Sequence, residues 1–209
     1  MSKRNQQNTI IENIEIIDIA AEGKAIAKHH GMIIFVKGAI PGDVVDLEVY
    51  KKKKNYAEAK ILKIHKFSEK RSEPFCTHFG TCGGCKWQNL KYEEQLFYKQ
   101  KQVQDAFKHI AKIDLTPYPS AIGMGNLILP IIPSRNQTYY RNKLEFAFSH
   151  KRWLTIEEIK TLPFEDSRGA LGFHISGLFD KVLDIDHCYL QTEPSNEIRL
   201  ELKKYAAEN

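Results

Sequence analysis

Cys76-Thr77-His78-Phe79-Gly80-Thr81-Cys82-Gly83-Gly84-Cys85 holds three of the four cysteines in a chain of 209 residues, and Cys188 follows about a hundred residues later. The spacing is Cys-x5-Cys-x2-Cys. Thiolates so placed converge on one centre when the loop between them can wrap it, and Gly80, Gly83 and Gly84 supply that backbone freedom. A distant fourth cysteine then closes the fold over the site, as in plant-type iron–sulfur proteins. Two other readings use the same residues. A four-cysteine zinc site normally brings two Cys-x2-Cys pairs, and only one is present. Four cysteines also allow disulfide pairing, but Met1–Asn8 is polar and has no secretory character, which argues for a reducing compartment.

Upstream of the cysteines, Thr9 to His65 reads as short strands punctuated by turns. Ile14 and Ile16, then Ile17 and Ile19, predict a strand with a bulge. Ala21-Glu22-Gly23-Lys24 and His30-Gly31 are turn signals. Met32-Ile33-Ile34-Phe35-Val36 is β-branched and aromatic. Ile40-Pro41-Gly42-Asp43 predicts a type II turn, proline setting the second position and glycine the third. Val45, Leu47 and Val49 alternate with Asp46 and Glu48, and Ala57, Ala59 and Ile61 repeat the pattern, so each strand has one buried face. Five short strands in this span predict a closed or nearly closed barrel, which leaves no exposed edge.

The formal charge of the chain is +5, yet Tyr50 to Arg71 alone carries nine Lys or Arg against Glu58 and Glu69. That segment is therefore +7 (9 − 2), and the remainder is slightly acidic. Lys51, Lys52, Lys53 and Lys54 crowd the hairpin tip before Asn55. A solvated turn explains lysines as such; their clustering beside a small barrel points to a polyanion, because neutralised phosphates release condensed counterions. The longest apolar run, Leu127 to Ile132, is broken by Pro130 and too short to span a bilayer, so a soluble, cytoplasmic protein is expected; the sequence leaves the oligomeric state open, with a monomer favoured.

Ser68 to Pro74 is polar and aperiodic and predicts a linker. Beyond Cys85, Asn89 is a candidate N-cap, and Tyr92, Leu96, Val103, Phe107 and Ile110 share one helical face, predicting a core helix. Trp87 is expected to shield a metal. Gly123-Met124-Gly125 lacks the third glycine of a nucleotide loop and is not taken as one. Thr138 to Phe148 predicts a strand with Leu144, Phe146 and Phe148 on one face, and Thr155 to Glu158 a capping box. Leu171–His174 and Val182–Asp186 predict two further strands around a Ser176-Gly177 turn, delivering Cys188 to the cysteine loop. Glu193 to Tyr205 reads as a helix marked by Ile198, Leu200 and Tyr205. His78, His174 and His187 are expected in hydrogen-bonded structural roles.

These residues resemble the iron–sulfur RNA (uracil-5-)-methyltransferases that carry an N-terminal TRAM domain. The likeness rests on Phe35-Val36-Lys37-Gly38-Ala39-Ile40-Pro41-Gly42-Asp43, on Cys76-x5-Cys82-Gly83-Gly84-Cys85 followed by Trp87-Gln88, on Tyr140-Arg141-Asn142-Lys143, and on Asp186-His187-Cys188. It implies a mixed β and α/β architecture: a TRAM barrel of the OB type over 1–67, a linker over 68–74, and an α+β iron–sulfur domain over 75–192. Residues 193–209 would start the helix toward a Rossmann-like methyltransferase domain that this chain lacks. It also implies a [4Fe–4S] cluster on Cys76, Cys82, Cys85 and Cys188, with S-adenosylmethionine bound by the missing domain.

The family's chemistry needs a cysteine to attack C6 of uracil and a base to remove the C5 proton. All four cysteines match cluster positions, so no catalytic residue is expected in this chain. RNA contacts are expected at Lys51, Lys52, Lys53, Lys54 and Arg141, with large-subunit (23S) ribosomal RNA as the favoured target and tRNA as the alternative. A stand-alone RNA-binding module with a structural metal is the rival class. Radical methylthiotransferases also join TRAM to iron–sulfur, but they use Cys-x3-Cys-x2-Cys, and the x5 interval here does not match.

Overall fold

The alternating residues of the first third close into a five-stranded barrel in the computed structural model, which describes residues 9–116, 118–120, 123–125, 127–161, 168–175 and 178–208. The strands are β1 (Thr9–Ile19), β2 (Ala25–His29), β3 (Met32–Val36), β4 (Val44–Lys52) and β5 (Tyr56–Lys66), closed in the order β1-β2-β3-β5-β4. Only β3 and β5 run parallel. Ile11, Ile14, Ile16, Val36, Val45 and Leu47 fill the interior, with Ala25, Ala27, Ala57 and Ala59 where it is narrow. The expected bulge in β1 is present, as a register shift between Ile16 and Asp18. His30 and Gly31, at φ 46° and 78°, make the tight β2–β3 turn. At the Ile40–Asp43 turn, the Asp43 N–H donates to the Ile40 carbonyl at 2.9 Å and Gly42 has φ +94°.

Asp43 is wholly buried, and four donors satisfy its carboxylate. The N–H groups of Ile40 and Ser68 donate at 2.7 and 2.9 Å. Arg71 adds a two-pronged contact, Nε at 2.9 Å and Nη2 at 2.7 Å. Ser68 is buried too, its hydroxyl donating to the Pro41 carbonyl at 2.6 Å. A methyl on Gly42 would lie 2.8 Å from that hydroxyl, so glycine is needed for space as well as for φ. Residues 68–71, expected as part of a linker, are thus fastened to the barrel. The physical reason is Asp43: a buried carboxylate draws in donors, and this segment supplies three of the four.

The chain divides into two compact units that differ from the expected boundaries. One comprises Met1–Glu73 and Asn89–Pro133, the other Pro74–Gln88 and Ser134–Asn209. Helix α1 (Tyr92–Asp105) therefore belongs with the barrel, ending in a π-helical turn over Ala106–Ile110. Asn89 is not its cap. Lys91 holds that position, while Asn89 is buried and donates through Nδ2 to the Gly38 carbonyl at 3.2 Å. The expected apolar face is also not the buried one. Tyr98 is the buried residue of α1, whereas Val103, Phe107 and Ile110 remain exposed. The helix is tied to the barrel by polar contacts instead, Lys101 to Asp18 at 3.0 Å and Gln102 to the Ala20 carbonyl at 3.2 Å. Strands β6 (Tyr118–Ser120) and β7 (Gly123–Gly125) form a small hairpin.

In the second unit, β8 (Ala147–Lys151), β9 (Arg168–Ile175) and β10 (Leu178–Asp184) form an antiparallel sheet in the order β10-β9-β8. Strand β8 begins later than Thr138; Leu144 and Phe146 pack inward from irregular chain, and Phe148 is exposed. The capping box of α2 (Ile156–Thr161) is reciprocal, the Glu158 N–H reaching Thr155 Oγ1 at 3.2 Å and the Thr155 N–H reaching Glu158 Oε2 at 2.8 Å. Met1–Asn8 and the Ser176-Gly177 turn lie outside the described residues. Helix α3 (Ser195–Glu208) buries Asn196 and Arg199, while the expected markers Ile198, Leu200 and Tyr205 face outward. Among the described residues no helix is long and apolar enough to cross a membrane.

Replacing Asp43 with alanine strands the Arg71 guanidinium and two N–H groups. A loss of about 3–5 kcal/mol in unfolding free energy is expected, measured by urea denaturation. Arg71→Ala should cost less in combination with Asp43→Ala than alone, because the two act as one contact.

Candidate metal centre and basic hairpin

The cysteine loop is shaped by its own turns and by the sheet edge. Phe79 N–H donates to the Cys76 carbonyl at 3.0 Å, and Cys82 N–H to the His78 carbonyl at 2.9 Å. Gly80 takes φ +90°. Cys82 then pairs as a β-bridge with Ile175, and Gly83 N–H reaches the His174 carbonyl at 3.2 Å. Gly172 lets β10 close up: a methyl there would lie 2.1 Å from the Leu183 carbonyl oxygen. Cys76 is fixed at the other end by its N–H donating to Gln88 Oε1 at 3.2 Å.

Cys188 is held by α3. Asn196 Oδ1 accepts the Cys188 N–H at 2.8 Å while its Nδ2 donates to the Cys188 carbonyl at 3.1 Å. Arg199 donates to the carbonyls of Ile185 and, at 2.8 Å, Asp186. These two side chains escaped the sequence reading. Polar residues on a terminal helix look solvated, and the available signal was their i, i+3 spacing on one face.

All four cysteines line one cavity. Phe79, Phe173, Ile185 and Tyr189 supply its apolar walls, and His78 and His187 also reach it. The expected shield Trp87 is not among the lining residues; its neighbour Gln88 is. Gly84 N–H donates to Cys82 Sγ at 3.3 Å. A methyl at Gly84 would stand 3.4 Å from that sulfur, with the Phe173 ring 3.6 Å away on the other side. Burial pushes the Cys82 thiol up to about 11, with the other three sulfurs adding smaller repulsion. It raises Cys76 and Cys188 as well, again ahead of the neighbouring sulfurs. The thiols are free, with no disulfide among them. Among the described residues no group of three or more His, Cys, Asp or Glu closes on the geometry of a single ion. The donor set itself, four soft sulfurs in an apolar wall with an N–H directed at one, fits a thiolate-bound metal group.

His78 Nε2 accepts the Asp186 N–H at 3.1 Å, and His187 Nε2 lies 3.2 Å from the Tyr139 hydroxyl. Arg141 has an exposed side chain, and its N–H donates to the Leu190 carbonyl at 2.8 Å. In the hairpin, Lys51 and Lys52 end β4 and Lys53–Asn55 make the turn. Lys51 is engaged: Glu58 Oε1 lies 2.7 Å from its Nζ and raises its pKa. Lys52, Lys53 and Lys54 are exposed.

The chain thus carries a closed five-stranded barrel with a basic hairpin and, in its second unit, a cavity lined by four cysteines. Residues 11–62 match the TRAM domain family. The chain is 51% identical over 191 residues to a protein of Bacteroides thetaiotaomicron named as an RNA methyltransferase, covering 91% of this chain and 40% of that one. A Porphyromonas gingivalis protein of the same name is 45% identical over 199 residues, 94% of this chain and 41% of its own. The chain thus spans about two fifths of the length of these relatives. Its fold is similar to a solved Pyrococcus abyssi tRNA (uracil-54, C5)-methyltransferase in complex with S-adenosyl-L-homocysteine. There the TM-score is 0.55 at 23% identity, over 94% of this chain and 37% of that one.

Thiols whose pKa is raised on folding hold more protons in the folded chain than in the unfolded one. Metal-free protein should therefore lose stability as pH climbs from about 9 toward 11, the interval over which Cys82 is displaced. Comparing denaturation midpoints of the chain and of Cys82→Ser across that interval isolates the effect; parallel curves would contradict it.

Proposed function

We propose that this chain is the RNA-recognising part of an S-adenosylmethionine-dependent RNA (uracil-5-)-methyltransferase. The observation that carries the reading is the similarity along nearly the whole chain to proteins named as RNA methyltransferases. The basic hairpin on a TRAM barrel supports the RNA part. The uracil C5 chemistry and the methyl donor rest on the family resemblance, with the fold of the Pyrococcus abyssi enzyme in accord. Ribosomal RNA is the favoured target, on the likeness of the motifs to the bacterial ribosomal type. The residues for methyl transfer would lie in sequence that the relatives carry beyond the matched portion.

Cys76, Cys82, Cys85 and Cys188 would hold a [4Fe–4S] cluster. A cluster carries its own bridging sulfur, so its thiolates stand farther apart than those meeting on one zinc ion at about 2.3 Å each. Bound there, it would cross-link the cysteine loop to the segment ending in Cys188. Transfer of a methyl group from a sulfonium donor needs no electron, so the role given to the cluster is structural. Anaerobically purified chain should contain iron and sulfide in equal amounts and absorb in the visible. Zinc without sulfide would replace the cluster with the rival centre.

The RNA reading predicts a specific salt response. Substituting Lys52, Lys53 and Lys54 together by alanine should weaken binding to a 23S ribosomal RNA fragment. It should also flatten the plot of log affinity against log salt by roughly 2, at about 0.7 per lost phosphate contact. Lys51→Ala alone should change the slope less, because Glu58 already occupies that charge. Titration of tRNA in parallel decides between the two targets.

A further inference from the structure

Phe75, Tyr139, His187 and Tyr189 form one connected group of rings in the second unit. Phe75 meets Tyr189 edge-on with centroids 5.2 Å apart, and His187 meets Tyr189 at 4.5 Å. Tyr139 approaches both, at 6.4 Å from His187 and 6.1 Å from Tyr189. Core aromatics would be covered; here Phe75 is 46% exposed, Tyr139 36% and the adjacent Tyr140 50%. His187 and Tyr189 are half-buried and reach the cysteine cavity.

The backbone is strained to hold this display. Tyr139 has φ +53°, a region that costs a side-chain-bearing residue about 1–2 kcal/mol. Its N–H donates to the Tyr189 carbonyl at 2.7 Å, the Arg141 N–H to the Leu190 carbonyl at 2.8 Å, and its hydroxyl lies 3.2 Å from His187 Nε2. Positive φ at Asn13, Glu22 and Lys112 carries no ring, and at His30 it serves a hairpin turn, whereas Tyr139 joins it to an aromatic side chain left partly in water, in keeping with a surface kept for a ligand. The same irregular segment carries Arg135, Arg141 and Lys143, all exposed. Lys143 pairs with Glu145; Arg135 and Arg141 make no ion pair among the described residues. Of the carboxylates beside the rings, Glu193 is bound by Asn196 and lies 3.9 Å from His187 Nδ1, and Asp186, next in sequence to His187, is exposed.

We infer that this ring cluster is a stacking platform for unpaired bases of single-stranded RNA, with Arg135 and Arg141 taking the flanking phosphates. The inference rests on the RNA reading above and locates a second contact region, independent of the lysine hairpin. Aromatic faces accept any base, so the platform is tolerant of sequence and selective for strands whose bases are not paired. Cations without bonded carboxylates favour a polyanion over an apolar protein partner.

The test uses the whole chain and three labelled probes of about ten nucleotides: single-stranded RNA, the same length of abasic phosphodiester, and an RNA duplex. Tyr139→Gly removes the ring and relieves the positive φ, which offsets the lost contacts to His187 and Tyr189, and its circular dichroism and denaturation midpoint check that the fold is kept. Tyr139→Phe keeps the ring without the hydroxyl. Tyr139→Gly is expected to weaken single-stranded RNA binding roughly 5- to 150-fold with its salt slope unchanged, and to leave the abasic strand and the duplex as they were. Tyr139→Phe should bind as the parent does. An undiminished affinity in Tyr139→Gly, or an equal loss on the abasic strand, overturns the platform. Should the lysine substitutions weaken RNA binding while Tyr139→Gly does not, the platform alone falls. Should the chain bind neither these probes nor the 23S ribosomal RNA fragment nor tRNA, the RNA reading falls with it.

Discussion

A carboxylate without solvent must be matched by donors, and Asp43 imposes that condition on the first unit. Its two oxygens take two N–H groups and both prongs of Arg71. The partners come from the turn before β4 and from chain after β5, so satisfying one side chain fixes the barrel's closing turn and its exit together. An apolar residue at 43 would relieve the cost of burying charge but would remove three of the contacts that bring residues 68–71 back to the barrel. The second unit uses the same device on backbone groups. Asn196 answers both backbone groups of Cys188, and Arg199 answers the carbonyls just before it. In each unit a buried polar side chain joins segments distant in sequence.

That device explains what was readable in advance. The barrel strands were legible because period-two alternation names the buried face directly: Val45 and Leu47 are buried as expected, as are Ala57 and Ala59. The turns were legible for the same local reason, since His30-Gly31 and Pro41-Gly42 encode their own dihedral angles. The helices were not. A stripe of Val103, Phe107 and Ile110 shows that a helix can bury that face, but not that a neighbour is there to cover it. Asn196 and Arg199 invert the rule, burying amide and guanidinium while Ile198 and Tyr205 stay outside. Hydropathy periodicity cannot see this, because the gain lies in hydrogen bonds to one particular loop.

The cysteines occupy a middle position. Their spacing indicated convergence, and the cavity brings all four to its walls. What the spacing could not supply was the clamp on Cys188 or the identity of the walls, where Phe79 and Phe173 stand in place of the expected Trp87. Nor could it show that the four lysines of the hairpin are unequal. Lys51 is neutralised across β4 and β5 by Glu58, whereas the next three project from the strand end and turn. Cross-strand pairing is a property of register, and register is decided by the whole barrel.

Burial and charge pull against each other at the thiols. The apolar wall raises three of them, Cys82 furthest, and each sulfur that ionised would raise the others further. A cavity of this kind therefore resists becoming a set of thiolates by itself. A polycationic centre reverses the balance, since its charge both ionises the sulfurs and is screened little in an apolar surround. Binding energy released by such a centre would stabilise the loop geometry itself, because the four sulfurs come from segments about a hundred residues apart in sequence. The Gly84 N–H on Cys82 sulfur needs no metal to form but strengthens once that sulfur carries charge. Hydrogen bond and glycine clearance are compatible with either form of the sulfur, whereas the apolar wall favours the neutral thiol unless a cationic centre is bound.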